Sequence, residues 1–267
     1  MTQLPNCNEG KVIIFSDVHL GTPTCNRYAF RKFVDWLVEN PPYMLIILGD
    51  LLDFWRRNNA EVLLENKEVL DRLFSVKTEI IYVVGNHDYA IWDTAQRGDN
   101  GGKPSVVKDL RFKVYDEHRE TWYYCTHGYD LDVAVTMEGM PLEVYEAFAA
   151  AQCRAGDGLG SLASLLWDGI SLAGSGVSKL LKTGSAKPHN DLEYDTIYQV
   201  AVSGTAHLLC GAHPGDRIVS GHTHWPFITK DQSAANTGSW CTEAGVKMHN
   251  TYIEIAQDGM KLKTFSQ

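Results

Sequence analysis

The chain has 267 residues, of which 44% are hydrophobic, so it can bury a sizeable core in one or two domains. Its formal net charge of −9 excludes the basic surface that nucleic-acid-binding proteins use, and we expect no nucleic-acid partner. The six cysteines include no Cys-x-x-Cys pair, and residues 1–11 lack the apolar region of a signal peptide. These features predict a cytoplasmic location.

The first predicted elements are a strand and a helix. Val12 to Phe15 is a short apolar, β-branched run, typical of a buried parallel strand. Asp17 and His19 follow it two residues apart, so we expect both side chains on one face of an extended chain. Asn26 can cap a helix with a one-sided apolar stripe, which the proline pair 41–42 ends.

Four further apolar runs end at polar motifs in the same manner. The runs at 44–48, 80–84, 122–126 and 217–220 lead into Gly49-Asp50, Gly85-Asn86-His87-Asp88, His127-Gly128 and Gly221-His222-x-His224. We interpret them as strands that deliver ligands at their carboxyl ends, where α/β sheets bind ligands. Residues 60–75 repeat the helical pattern. The donors from all five strand ends are nitrogen and oxygen atoms without sulfur, which is typical of a two-metal site.

The segment between His127 and His222 is too long for a loop and predicts an inserted helical cap. We predict helices at 141–154, 159–182 and 191–208. The apolar stripe of the middle helix has three interpretations: packing within the cap, an acyl-chain groove or membrane-surface contact, and a dimer interface. Asp168 and many Gly and Ser residues interrupt the stripe, so no transmembrane span is expected.

The motif set resembles the calcineurin-like metallophosphoesterase superfamily from Asp17 to His224, with every ligand position filled. Within it, the chain most resembles the UDP-2,3-diacylglucosamine pyrophosphatase family, on the segments Gly49-Asp50-Leu51-Leu52-Asp53-Phe54-Trp55, Gly221-His222-Thr223-His224-Trp225-Pro226 and Gly238-Ser239-Trp240-Cys241-Thr242-Glu243. One departure is His87, where that family usually carries Arg. Histidine at this position is the generic choice of the superfamily, found in broad phosphodiesterases and phosphatases.

The resemblance implies an α/β fold, a four-layer α/β/β/α sandwich of two mixed sheets with an inserted helical cap. We expect a single domain over 1–267 with the cap at 135–210. Residues 233–240 and a hairpin of 252–255 and 261–263 are expected to form the second sheet.

The resemblance also implies a pair of divalent ions that attract a phosphate and activate a water for attack on phosphorus. One ion would be held by Asp17, His19, Asp50 and His224, and the other by Asp50, Asn86, His127 and His222. Mn²⁺ is the expected metal, with Fe and Zn as alternatives. His87 would donate to a phosphoryl oxygen or protonate the leaving group. Asp88 and Asp53 would orient histidines, with turn or helix capping as the alternative.

Several other side chains are candidates for contact with the substrate or the metals. Arg56 and Arg57 could clamp a diphosphate or lie in a solvated loop. Trp55, like Trp225 and Trp240, could stack on a base, line an acyl groove or pack in the core. His189 could reach the phosphate. Cys125 could face the metals or be a buried thiol.

The expected activity is hydrolysis of a phosphodiester or pyrophosphate bond. The leading substrate is a nucleotide-diphospho-lipid, with peripheral contact between the cap and the inner face of the membrane as an open possibility. A broad phosphodiesterase or phosphatase acting on soluble phosphorylated molecules is the alternative. A non-catalytic protein-binding scaffold is a third hypothesis, although no protein partner is implied.

Overall fold

The computed structural model describes residues 10–97, 104–115, 120–137, 139–155, 195–242 and 248–266. The strands in these ranges are β1 Val12–Phe15, β2 Met44–Leu48, β3 Glu79–Val83, β4 Ser105–Val107, β5 Asp109–Tyr115, β6 Glu120–Thr126, β7 Arg217–Ser220, β8 Phe227–Ile228, β9 Ala234–Asn236, β10 Thr251–Ala256 and β11 Gly259–Thr264. The helices are α1 Arg27–Glu39, α2 Asn59–Phe74, α3 Ala90–Arg97, α4 Tyr129–Thr136, α5 Leu142–Ala155, α6 Thr196–Ser203 and α7 Ala206–Leu209.

The strands form two mixed sheets. The first has the order β11-β10-β1-β2-β3-β4, in which β1 to β4 are parallel and β10 runs antiparallel to β1. The second has the order β5-β6-β7-β9-β8, in which β6, β7 and β9 are parallel between two antiparallel edge strands. The predicted sandwich of two mixed sheets is confirmed.

Alternating side chains of the first sheet enter different apolar layers. Val12 and Ile14 face the second sheet and pack with Phe112, Tyr123 and other residues between the two sheets. Ile13 and Phe15 face the opposite way and pack under α1 and α2. Helices α6 and α7 cover the outer face of the second sheet. Because both faces of β1 are buried, its sequence is apolar throughout, as in other parallel sheets with two covered faces.

The hairpin near the chain end lies in the first sheet, which corrects its expected place in the second. Strand β10 pairs with β1, and Ile253 and Ile255 enter the layer between the sheets while Tyr252 packs on the helix side. A strand that is apolar on both faces suits this interior position. The second sheet instead uses β5, whose Leu110 and Phe112 alternate with polar residues.

The helix predicted after Asn26 and those predicted at 60–75 and 141–154 agree with α1, α2 and α5, whereas the single helix predicted at 191–208 does not. Asn26 accepts a hydrogen bond from the N–H of Ala29 at 3.3 Å and caps α1, as expected. The described part of this range, from residue 195 onward, holds two helices, α6 and α7, because α6 ends at Gly204 with φ of 71°. Residues 156–194, which include His189 and the segment predicted to form the middle cap helix, lie outside the described residues, so the cap boundaries stay a prediction.

None of the helices in the described ranges is both long enough and apolar enough to cross a membrane.

Candidate metal centre

The polar motifs after β1, β2 and β7 turn sharply where the strand ends, instead of continuing in extended conformation as the sequence spacing suggested. Positive φ angles of 50–71° occur at Asp17, His19, Asp50, His222 and His224. This backbone region is uncommon for residues other than glycine, and strain of this kind concentrates at functional sites. The turn at Asp50 also needs Gly85, because a Cβ there would come within 2.1 Å of Asp50 Oδ1.

The expected donors come from both sheets and meet between them. Strands β1, β2 and β3 of the first sheet lead into Asp17, Asp50 and Asn86, while β6 and β7 of the second lead into His127 and His222. The site therefore lies where the carboxyl ends of the central parallel strands of the two sheets face each other.

The first group of donors surrounds Nε2 of His19. This atom lies 3.1 Å from Nε2 of His224, 3.8 Å from Oδ1 of Asp17 and 3.7 Å from Oδ2 of Asp50. Nε2 of His224 lies 3.3 Å from Oδ1 of Asp17. These four side chains are the set that the family resemblance implied for one metal ion.

The second group shares Asp50 with the first. Oδ2 of Asp50 lies 3.3 Å from Nε2 of His127, and Oδ1 of Asn86 lies 3.1 Å from Nδ1 of His222. The rings of His127 and His222 have centroids 5.3 Å apart. Asp50 therefore lies between the two groups, in the position expected of a bridging carboxylate.

Buried polar atoms in this cluster fit a metal centre. Oδ1 of Asp17 and Nε2 of His127 are buried and make no well-aligned hydrogen bond. Leaving such atoms unpaired is costly unless a ligand occupies the space between them. The donor set contains imidazole nitrogens and carboxylate and amide oxygens, which suit Mn, Fe or Zn.

The electrostatics of the cluster favour a bound cation. Burial by itself raises the pKa of Asp50, but His127 and the neighbouring histidines outweigh it and hold that pKa well below its usual value. Burial lowers the pKa of His127, but the Asp50 and Asp17 carboxylates outweigh burial and raise it to about 10. A divalent ion would neutralise the same carboxylates and displace that proton, because a ligating imidazole must be unprotonated.

Asp53 lies beside the donor cluster and contacts several of its neighbours. Its Oδ2 lies 3.1 Å from Nδ1 of His87, 3.4 Å from Nδ1 of His19 and 2.6 Å from the guanidinium of Arg56. Burial by itself raises the pKa of Asp53, but these three groups outweigh it and keep the carboxyl ionised. Trp55 stacks on His87 with ring centroids 4.3 Å apart.

Asp88 differs from the expectation that it orients a histidine. Its fully buried carboxylate accepts hydrogen bonds from the N–H groups of Leu51 and Gly85 and from the hydroxyl of Tyr82, at 2.9, 2.8 and 2.5 Å. Burial and the nearby Asp50 charge raise its pKa to about 6. Asp88 thus braces the loops after β2 and β3, which is the turn-capping alternative.

The residues expected to contact the substrate differ in whether they reach the cavity beside the donor cluster. Arg56 lines a cavity of about 170 Å³ together with His19, Thr24, Asp50, Asn86, His87, His222, His224 and Cys241. Arg57 instead bonds to Glu65 on α2, at 2.7 Å. Trp240 is fully buried in the helix-side core, and Cys125 is buried between the sheets, so neither side chain is exposed to a ligand in this cavity.

Sequence reasoning missed supporting residues around the cluster. Oδ2 of Asp132, on α4, lies 3.3 Å from Nε2 of His222. Ser16 donates from Oγ to Oδ2 of Asp17, and the thiol of Cys153 donates to the carbonyl of His87 at 3.2 Å. The only sequence signal for Asp132 was its place in the first turns of a helix that begins directly after His127-Gly128.

Comparison with known proteins decides the family. The profile of the calcineurin-like phosphoesterase family matches residues 10–226, which is most of the chain. The chain belongs to this family. Its members are metal-dependent hydrolases that act on phosphoric esters through two metal ions, so family membership favours the enzyme over the scaffold hypothesis.

The individual proteins that resemble this chain share less than a third of their aligned residues with it. A bovine (Bos taurus) transmembrane protein with a metallophosphoesterase domain is 29% identical over 151 residues, 49% of this chain and 33% of that protein, so the match spans about a third of the relative's length. The phosphoesterase YfcE from E. coli has 17% identity and a TM-score of 0.45, covering 96% of this chain and 93% of its own. A dimetal phosphatase from Danio rerio has 12% identity and a TM-score of 0.44, covering 98% and 100%.

Proposed function

We propose that this phosphoesterase hydrolyses a phosphodiester or pyrophosphate bond at a centre whose ligands are Asp17, His19, Asp50, Asn86, His127, His222 and His224. The observation that carries the proposal is the meeting of these donors around Asp50, with buried atoms of Asp17 and His127 left without well-aligned partners. Mn²⁺ is the proposed metal because it accepts mixed carboxylate, amide and imidazole ligands.

The two ions, when bound, would supply positive charge that attracts the phosphoryl group and activates a water. The remaining roles belong to side chains of this chain. Asp53 accepts a hydrogen bond from Nδ1 of His87, so in the imidazolium form, which carries a second N–H, Nε2 is the atom left to donate a proton to a phosphoryl or leaving oxygen. Trp55 fixes the plane of the His87 ring by stacking. His87 and Asp53 thereby form a proton-donating pair at the cavity.

The proposed substrate carries a second negatively charged group next to the bond that is cleaved. Arg56 supports this, because its guanidinium lines the cavity while its side chain is 63% exposed and open to a ligand. A guanidinium recognises phosphate oxygens in a planar, bidentate manner. We therefore keep a nucleotide-diphospho-lipid as the leading substrate class.

A broad phosphodiesterase on soluble substrates is the second candidate, and a specific observation favours it. His87 occupies a position where the lipid-specific family usually has Arg, and its pairing with Asp53 and Trp55 suits general acid catalysis on many leaving groups. The proposed cap, which would decide whether acyl chains bind, falls largely in residues outside the described ranges.

Metal analysis and turnover test the proposal. We expect about two Mn²⁺ per chain and metal-dependent hydrolysis, and Asp50→Ala to lose both because it removes the shared ligand. An Asp50→Ala protein that retained two ions and normal turnover would overturn the site.

To distinguish the two proposed substrate classes, kcat/KM is measured on diphospholipids of increasing acyl length beside a chromogenic soluble diester. Burial of each added CH₂ should raise kcat/KM about fourfold, whereas a flat series would leave the soluble phosphodiesterase.

A further inference from the structure

The histidines of the proposed metal centre differ in which ring nitrogen faces the cluster. His127 and His19 direct Nε2 inward, while Nδ1 of His127 donates to the carbonyl of Leu48 at 2.7 Å. His222 is reversed. Its Nδ1 faces Oδ1 of Asn86 at 3.1 Å, and its Nε2 points outward to Oδ2 of Asp132 at 3.3 Å.

This reversal creates a competition for one proton. A neutral imidazole carries a single N–H, and in His222 either nitrogen has an oxygen acceptor within reach. If Nδ1 held the proton, it would donate to Asn86, and no lone pair would face the centre. A carboxylate is a stronger acceptor than an amide oxygen, so Asp132 draws the proton to Nε2 and frees Nδ1.

We infer that Asp132 is a positioning residue that holds His222 in the tautomer able to bind a metal ion through Nδ1. This inference rests on the proposed metal centre and adds a residue to it. Ligating histidines commonly donate their outer N–H to a carboxylate or carbonyl, which fixes the ring and strengthens the ligand. Leu48 supplies the carbonyl for His127, and Asp132 supplies the carboxylate for His222.

The local fold holds Asp132 firmly in this place. The N–H of Asp132 donates to the carbonyl of Gly128 at 3.1 Å, which closes the first turn of α4 directly after His127. Gly128 has φ of 117°, and a Cβ there would lie 3.3 Å from Cβ of His222, so the start of α4 packs closely against the His222 loop. The hydroxyl of Thr136 lies 3.3 Å from Oδ1 of Asp132 and limits rotation of the carboxylate.

The test compares wild type, Asp132→Asn, Asp132→Glu and the control Asp130→Asn, all metal-free and then titrated calorimetrically with Mn²⁺. Asp130 lies on the same helical turn, but its carboxylate accepts from Thr126 and contacts no ring of the cluster by hydrogen bond. We expect Asp132→Asn to lose roughly 10–100-fold in affinity at one of the two sites. Asp132→Glu should recover part of this loss, and Asp130→Asn should bind both ions as wild type does.

A second measurement does not depend on metal. In ¹⁵N spectra of the metal-free proteins, His222 should carry its proton on Nε2 in wild type and shift toward Nδ1 in Asp132→Asn. Wild-type affinity at both sites in Asp132→Asn, equal losses at both sites, or an unchanged tautomer would overturn the inference. If wild type bound no metal ion, the proposed function would fail, and the tautomer comparison would still decide the role of Asp132.

Discussion

At the scale of single residues, one carboxylate connects the proposed metal ligands to the proposed proton donor. Asp53 is fully buried, yet its Oδ2 lies near His19, His87 and Arg56 at the same time. A buried carboxylate needs such compensation, because taking its charge out of water is costly. The same contact would orient His87 for the proposed proton transfer, while Nε2 of His19 faces the proposed metal centre.

The separation of these roles predicts the behaviour of His87→Ala. This variant should lower kcat by roughly 10²–10⁴, the usual contribution of general acid–base catalysis, and keep both metal ions. Metal analysis and steady-state kinetics measure the two effects. His213→Ala is the control, since His213 is exposed and is not among the residues that line the cavity. Loss of metal from His87→Ala would instead make His87 a ligand.

The adjacent arginines offer a matched pair for substrate binding. Arg56 faces the cavity, whereas Arg57 bonds to Glu65. Arg56→Ala should raise KM for a diphosphate substrate roughly 10–100-fold, the value of a charge-assisted hydrogen bond, and Arg56→Lys should lie between. Arg57→Ala should change KM less than about twofold, because exposed ion pairs contribute little. Equal effects of the two alanine variants would remove Arg56 from the substrate site.

At the scale of elements, spacing predicts which residues follow a strand but not which sheet the strand joins. The seven proposed ligands were found because each follows an apolar run. The prediction that the β10–β11 hairpin belongs to the second sheet was wrong, because a strand buried on both faces fits either sheet of a sandwich. Asp88 also differs from the expectation that it orients a histidine, because the sequence does not reveal that Leu51 and Gly85 present their N–H groups to it.

The edge of the second sheet depends on an ion pair that makes stability sensitive to pH. Arg111 on β5 holds Asp216, just before β7, through two hydrogen bonds of 2.8 and 2.9 Å. Burial by itself raises the pKa of Asp216, but Arg111 outweighs it and lowers that pKa below its ordinary value. A lowered folded-state pKa contributes stability above the unfolded value near 4, and this contribution disappears as pH falls through the folded value.

Urea unfolding of the metal-free protein at several pH values measures this contribution. Asp216→Asn should reduce the free energy of unfolding by roughly 1–3 kcal/mol at pH 7. The difference from wild type should shrink as pH falls below about 4, where the wild-type carboxyl also becomes protonated. Glu120→Gln, which removes an exposed pair with Lys113, should cost less than about 1 kcal/mol. A pH-independent difference for Asp216→Asn would point to packing instead of charge.

At the scale of the whole molecule, the proposed ligands would connect, through bound metal ions, two sheets that otherwise meet through an apolar layer. Asp17, Asp50 and Asn86 follow strands of the first sheet, and His127 and His222 follow strands of the second. Unfolding separates these residues, so a bound ion stabilises the native state far more than the unfolded chain. The family resemblance implied the two sheets and the strand-end motifs predicted the donors, but neither predicted that the donors would span both sheets.

This arrangement predicts that metal occupancy and global stability change together. With free Mn²⁺ at 100 times the dissociation constant, each independent site should add about 2.7 kcal/mol to the free energy of unfolding. Urea unfolding is therefore compared for the metal-free protein and across a Mn²⁺ series. Asp50→Ala is the matched control, because it removes the ligand that lies 3.7 Å from His19 and 3.3 Å from His127 and so weakens both sites. Its stability should respond weakly to the same series. If wild type and Asp50→Ala gained equal stability, the ions would be acting at sites other than the one between the two sheets.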